Sequence, residues 1–156
     1  MPVATARIGW IPHPMPISTV ARTAFRAPLR SQEKRAGAMI AYLRKVVLAP
    51  PVTHERAHAV FVDAKGGWRG DAPCGVGTMS ALTVRMRGLL GEALRHDAAG
   101  IILAHSHPSG HCRPSGCDIA ATRRLNDVAC ALDIVLIDHL IFTSDAIYSM
   151  RAGGLL

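Results

Sequence analysis

The sequence predicts a three-layer α/β domain, a mixed β-sheet flanked by helices, and three observations carry that expectation. Short runs rich in Val, Ile and Phe alternate with longer stretches of helical period. One run, Ile101-Ile102-Leu103-Ala104, is apolar at every position, as a strand covered on both faces must be. Turn signals at Gly66-Gly67 and Ser144-Asp145 place hairpins towards both ends, so antiparallel pairs accompany the strand-helix alternation.

The elements follow in order. Residues 1–30 mix Pro2, Pro12, Pro14, Pro16 and Pro28 with Ala, Thr and Arg, and no hydrophobic period persists. A flexible, basic arm over residues 1–35 and one domain over 36–156 are expected. Ser31 can cap a helix with Glu33 in its first turn, and Ala36, Ile40, Leu43 and Val47 supply its apolar face. Pro50-Pro51 stop it. His54 to Ala64 reads as a strand centred on Val60-Phe61-Val62, with a return strand from Trp68. Cys74-Gly75-Val76-Gly77 is glycine-broken, as in an irregular strand. Thr83 to Ala98 reads as a helix burying Val84, Leu89, Leu90, Ala93 and Leu94, with Arg85, Arg87, Arg95 and His96 outside. After the strand Ile101 to His105 comes a Pro/Gly loop. The helix Ile119 to Leu132 follows, with Leu125, Val128, Ala129 and Leu132 inward. Ile134-Val135-Leu136-Ile137 and Leu140-Ile141-Phe142 form a strand bent at Asp138-His139, and Ile147 to Met150 pairs back.

Charge placement excludes more than total charge does. Residues 1–46 hold eight basic residues against one acidic, so the whole net +7 lies there, and residues 47–156 are balanced at ten of each. The domain proper therefore has no bias towards nucleic acid, although the N-terminal stretch suits an acidic partner or a transit peptide. No apolar run reaches the ~18–20 residues of a membrane span, and no secretory h-region is evident. Four irregularly spaced cysteines, Cys74, Cys112, Cys117 and Cys130, make no disulfide framework, and a reducing, cytoplasmic setting is expected.

The chemistry concentrates between His105 and Asp118. A catalytic zinc ion takes three protein ligands and keeps a fourth position open. His105 and His107, two apart at a strand end, direct both imidazoles to one side. Pro108, Gly110, Pro114 and Gly116 allow the chain to return, and Ser115 as N-cap sets Asp118 in the first turn of the next helix. Ser115-x-x-Asp118 by itself does no more than start a helix. Cys112 and Cys117 with the two histidines form a rival, closed Cys₂His₂ site, in which Asp118 would have no ligand role.

His105-Ser106-His107 followed by Ser115-x-x-Asp118 resembles the JAMM signature of MPN/JAB1 metallopeptidases. The wider run His-x-His-Pro-Ser-Gly-x₃-Pro-Ser-x₂-Asp-Ile is similar to the bacterial RadC family in particular. The similarity extends from about residue 36 through Val60-Phe61-Val62, Val84-x-x-Arg87, Ala98 to Ala104, Asp138-His139 and Tyr148-Ser149-x-Arg151 to the terminal Gly154-Leu155-Leu156. The resemblance implies a cytidine-deaminase-like α/β fold and a Zn²⁺-dependent peptidase or isopeptidase. It implies zinc on His105, His107 and Asp118, an oxyanion contact from Ser115, and a glutamate base on an upstream strand, matched by Glu55. Ser106 stands where RadC-like chains usually carry Asn, and His111, Cys112 and Cys117 depart from the usual loop. The helical module often found before this domain in RadC-like chains has no counterpart in residues 1–30.

Three functions compete at this level. A metallopeptidase acting on a peptide or protein substrate uses all five residues. A nucleic-acid accessory protein would bind through the basic arm, with steep salt dependence. A non-catalytic zinc-stabilised interaction module would unfold on chelation. A zinc deaminase needs His-x-Glu and Pro-Cys-x-x-Cys, and neither is present.

Overall fold

A computed structural model describes residues 29–77 and 80–156. Its elements run α1 (Leu29–Val47), β1 (Arg56–Val62), β2 (Trp68–Val76), α2 (Ser80–Arg95), β3 (Gly100–Ser106), α3 (Gly116–Cys130), β4 (Val135–Phe142) and β5 (Ile147–Ser149). The strands form one sheet in the order β2-β1-β3-β4-β5. The β3–β4 pair is parallel, and the pairs β1–β2, β1–β3 and β4–β5 are antiparallel. This is the mixed α/β sheet expected from the hairpins and the central apolar strand.

Alternation along the strands divides the core into two layers. On one face Leu43 and Val47 of α1 pack on Val60, Val62, Ala104, Leu140 and Phe142. On the other face Met86, Leu89, Leu90 and Ala93 of α2 and Leu125 and Ala129 of α3 cover Ala59, Phe61, Ile101 and Leu103. Each large side chain removed from water in this way stabilises the fold by about 1.5–3 kcal/mol. All of β3 is buried except half-buried Ile102: the apolar run 101–104 suits that burial, and His105 and Ser106 are buried with it.

Several local readings change. The first helix begins at Leu29, so Ser31 is helical rather than its N-cap, and Glu33 lies beyond the first turn. Leu and Arg are good helix formers, and a helix is not obliged to begin at the first capping residue. Residues 29–35 of the expected arm form the start of α1; residues 1–28 lie outside the described residues. Leu94, Val128 and Leu132 were expected inside but are 55%, 37% and 40% exposed. Docking of α2 and α3 turns the stripe through Met86, Leu89, Leu90 and Ala93, and that through Ala121, Thr122, Leu125 and Ala129, towards the sheet instead. The side chain of Val84 lies outside the described residues. His96 is half-buried and stacks on Phe61 with ring centroids 5.4 Å apart, so it is not a surface group. The last long strand is continuous through Asp138-His139; its irregularity against β3 falls opposite Ile101 and Ile102.

Candidate metal centre

The C-terminal ends of the parallel strands β3 and β4 lie side by side, the position where α/β sheets place ligands. His105, next to last in β3, lies on the face covered by α2 and α3, and His107 follows two residues later on the same side. The backbone N–H of His107 donates to the Phe142 carbonyl at 2.8 Å, which ties the end of β3 to β4. Gly110 then turns the loop with φ 83°, in the left-handed region that suits glycine, and its N–H donates to the His107 carbonyl.

Asp118 arrives from the other direction. Ser115 is the N-cap of α3: its hydroxyl accepts from Asp118 N at 3.1 Å, while Asp118 Oδ2 accepts from Ser115 N at 2.6 Å. This reciprocal capping box fixes the carboxylate in the first turn, aimed back at the loop. One ligand-type atom from each of His105, His107 and Asp118 lies within 4.8 Å of the others, and all three residues are buried.

The donor atoms match a small cation. His105 Nε2 and His107 Nε2 stand 2.8 Å apart, and each is 3.5 Å from an oxygen of Asp118. Ligands bound at ~2.0–2.1 Å in tetrahedral geometry stand about 3.4 Å from one another, close to the two spacings from Asp118, while the two histidine nitrogens stand closer together than that. The hydrogen-bond chemistry agrees. His107 Nδ1 is 2.7 Å from the His111 carbonyl, which can only accept, so Nδ1 keeps its proton, and Nε2, facing Asp118 and His105, is the nitrogen laid bare when the ring gives up its second proton.

Electrostatics favour positive charge at this point. Burial alone would push the Asp118 carboxyl up, but hydrogen bonds from His107 and Ser115 hold it well below the usual carboxylate range. The bond to Asp118 raises His107, against burial, with the His111 carbonyl assisting. Burial pulls His105 down to about 4, so that ring stays neutral.

Glu55 comes from the sheet register. Antiparallel pairing sets Ala57 opposite His105, and two further residues along the same register bring Glu55 opposite His107. Glu55 Oε1 is 4.0 Å from His107 Nε2. Its carbonyl accepts from Gly77 N at 2.9 Å, and the next residue, Arg56, donates its N–H to the Ser106 hydroxyl at 3.0 Å. The Arg56 guanidinium also donates to the Ala49 and Pro51 carbonyls, fastening the segment before β1.

The capped His-His-Asp cluster and this register fit one family, and its sequence profile matches residues 33–155, described as the RadC-like JAB domain. The chain belongs to that family. Relatives of this RadC-like JAB domain include a UPF0758 protein of Bordetella petrii, 38% identical over 102 residues, which are 65% of this chain and 45% of that protein. Another, from Paracidovorax citrulli, is 35% identical over 103 residues, 66% of this chain and 44% of its own. A third, from Thioalkalivibrio sulfidiphilus, is 44% identical over 80 residues, 51% of this chain and 35% of its own. The RadC-like chain thus spans less than half the length of these curated relatives.

The rival cysteine site does not assemble: Cys117 is exposed, Cys112 is half-buried, and neither joins the cluster formed among the described residues. His111, one of the departures from the usual loop, exposes its side chain, and its carbonyl orients His107. Three buried polar groups lie behind the cluster: Thr122, which the sequence did not single out, and Asp138 and His139, which it marked only as a bend and a family match. A polar pair inside an otherwise apolar strand was the signal for Asp138 and His139; Thr122 had none. Asp138 accepts from Ser149 Oγ at 2.5 Å and from the N–H groups of His139 and Arg151, which anchors β4 to the chain end. Burial raises its carboxyl in spite of those bonds. Among the described residues no helix is long and apolar enough to cross a membrane.

Proposed function

We propose that this domain is a zinc-dependent hydrolase of amide bonds, a metallopeptidase or isopeptidase. The observation that supports it most is the convergence of two imidazole nitrogens and a buried carboxylate beside a second, half-exposed carboxylate. His105, His107 and Asp118 would hold the ion. A mixed nitrogen and carboxylate donor set suits zinc. When bound, zinc lowers the pKa of water and polarises a carbonyl.

The chain supplies the remaining functions. Glu55, at 31% side-chain exposure and 4.0 Å from His107 Nε2, would accept a proton from an attacking water and return it to a leaving amine. The Ser115 hydroxyl accepts from Asp118 N, so its own O–H is left to donate towards an oxyanion. The capping box and the Ser106–Arg56 bond hold these groups in place before substrate arrives.

The test is metal analysis followed by peptide and isopeptide hydrolysis. Wild type is expected to carry about one zinc per chain, and His107→Ala none. Glu55→Gln should keep the metal and lose about 10²–10⁴-fold in kcat. Equal zinc content in wild type and His107→Ala overturns the ligand set, and an undiminished Glu55→Gln removes the base.

The charge distribution favours one second reading, a nucleic-acid contact through the basic N-terminal stretch. Lys34 and Arg35 are exposed on α1 within it. If that contact exists, Lys34→Glu with Arg35→Glu weakens binding to DNA and flattens its salt dependence.

A further inference from the structure

Behind the cluster runs a chain of hydrogen bonds whose direction is dictated by the atoms in it. Thr122 Oγ1 lies 2.6 Å from the Asp118 carbonyl oxygen and 2.6 Å from His139 Nδ1. A carbonyl oxygen carries no proton, so the single hydroxyl proton of Thr122 must point to it; otherwise two oxygens face each other at that distance with nothing between. Met150 Sδ, at 3.6 Å, is a weaker competitor for that proton. Thr122 Oγ1 therefore accepts from His139, which places the His139 proton on Nδ1 and leaves its Nε2 bare. His139 Nε2 is 2.7 Å from His105 Nδ1. That nitrogen must then carry the His105 proton, and His105 Nε2 emerges as a bare donor atom facing His107 and Asp118. Thr122, His105 and His139 are all fully buried, so no solvent competes for these bonds.

We propose that His139 and Thr122 are positioning residues that lock His105 in its Nδ1–H tautomer and so keep Nε2 open to a metal ion. The chain begins at the backbone of one expected ligand, Asp118, and ends on the ring of another. The first turn of α3 and the end of β3 are thereby set in one register. A metal ligand whose second nitrogen is hydrogen-bonded this way is oriented and made more basic, and loss of such a partner costs about 10–100-fold in metal affinity. The proposal rests on the metal-site reading above, and the experiment separates the two.

The ring tautomers of the metal-free, full-length protein are read from ¹⁵N shifts and two-bond couplings of the histidine rings at neutral pH. Zinc affinity is read separately by competition with a chelating dye. The relay predicts Nδ1–H with bare Nε2 at both His105 and His139. Thr122→Val should mix the tautomers at His105 and weaken zinc binding by about 10–100-fold, and Thr122→Ser should restore both. Nε2–H at His105 in wild type overturns the relay without any variant having to fold. A folded Thr122→Val with unchanged tautomers and zinc affinity also overturns it. If the wild-type tautomers are as assigned but no zinc is taken up, the metal reading fails and takes the proposed purpose of the relay with it.

Discussion

Asp118→Asn separates the two tasks that Asp118 performs. Its carboxylate caps α3 through Ser115 N and also faces the Nε2 atoms of His105 and His107. Asn preserves the shape and one oxygen for Ser115 N, so the cap survives with a neutral acceptor in place of a charged one, at a cost of about 1 kcal/mol. The depressed pKa of Asp118 also means that its charge, although buried at 1% exposure, stabilises the metal-free fold at neutral pH, and the variant loses that contribution too. Metal-free stability should therefore fall, and the zinc-induced change is measured from that lower baseline. The metal-bound protein should change greatly, since the one negative ligand is gone. A ligand contributes at least what its outer-shell partners do, so a loss of about 100-fold in zinc affinity is a lower bound. At zinc a thousandfold above the wild-type Kd, binding stabilises wild type by about 4.1 kcal/mol and the variant by about 1.4 kcal/mol. For a domain of this size that difference is on the order of 10 °C in Tm. Paired thermal melts with and without zinc measure it, with Asp118→Ala as the control that also loses the cap, about 0.5–2 kcal/mol further. Equal zinc-induced shifts in wild type and Asp118→Asn would refute the reasoning.

Other expectations follow from the same contacts. Ser106→Ala removes the acceptor for Arg56 N and leaves that N–H without it; a loss of about 1–3 kcal/mol in chemical denaturation is expected, with zinc retained and turnover reduced because Glu55 is less well held. Leu125→Ala empties a fully buried position on α3, the helix that carries Asp118 and Thr122, and should cost about 2–5 kcal/mol in the same assay. At the far edge of the sheet, Tyr42 Oη donates to Asp71 Oδ2, which also takes His58 Nε2, both at 2.7 Å. The bond to Asp71, with burial, raises the Tyr42 phenol to about 12. Its contribution is full below the ordinary tyrosine value near ~10 and is lost as pH rises through the folded value. Tyr42→Phe should lower stability by about 1 kcal/mol at neutral pH and flatten that alkaline loss, as read from denaturation midpoints across the alkaline range.

What could be read from the residues alone was whatever is local along the chain. The apolar run before His105, the i, i+2 histidines and the Ser115-x-x-Asp118 cap each depend on neighbours a few residues away, so strand, histidine pair and helix start were all legible. The fold class followed from the same local periods. Resemblance to known chains supplied Glu55, which composition and spacing could not single out. Which stripe of a helix meets the sheet is a matter of docking angle, so Leu94, Val128 and Leu132 looked internal and are not. Only the tertiary structure decided that the antiparallel register carries Glu55 opposite His107, and that Ser106 holds its neighbour Arg56. It alone linked Asp118, Thr122, His139 and His105 in one directed chain. Periodicity records whether a side chain is buried but not which distant group it meets, and the direction of a hydrogen bond is known only once both partners are.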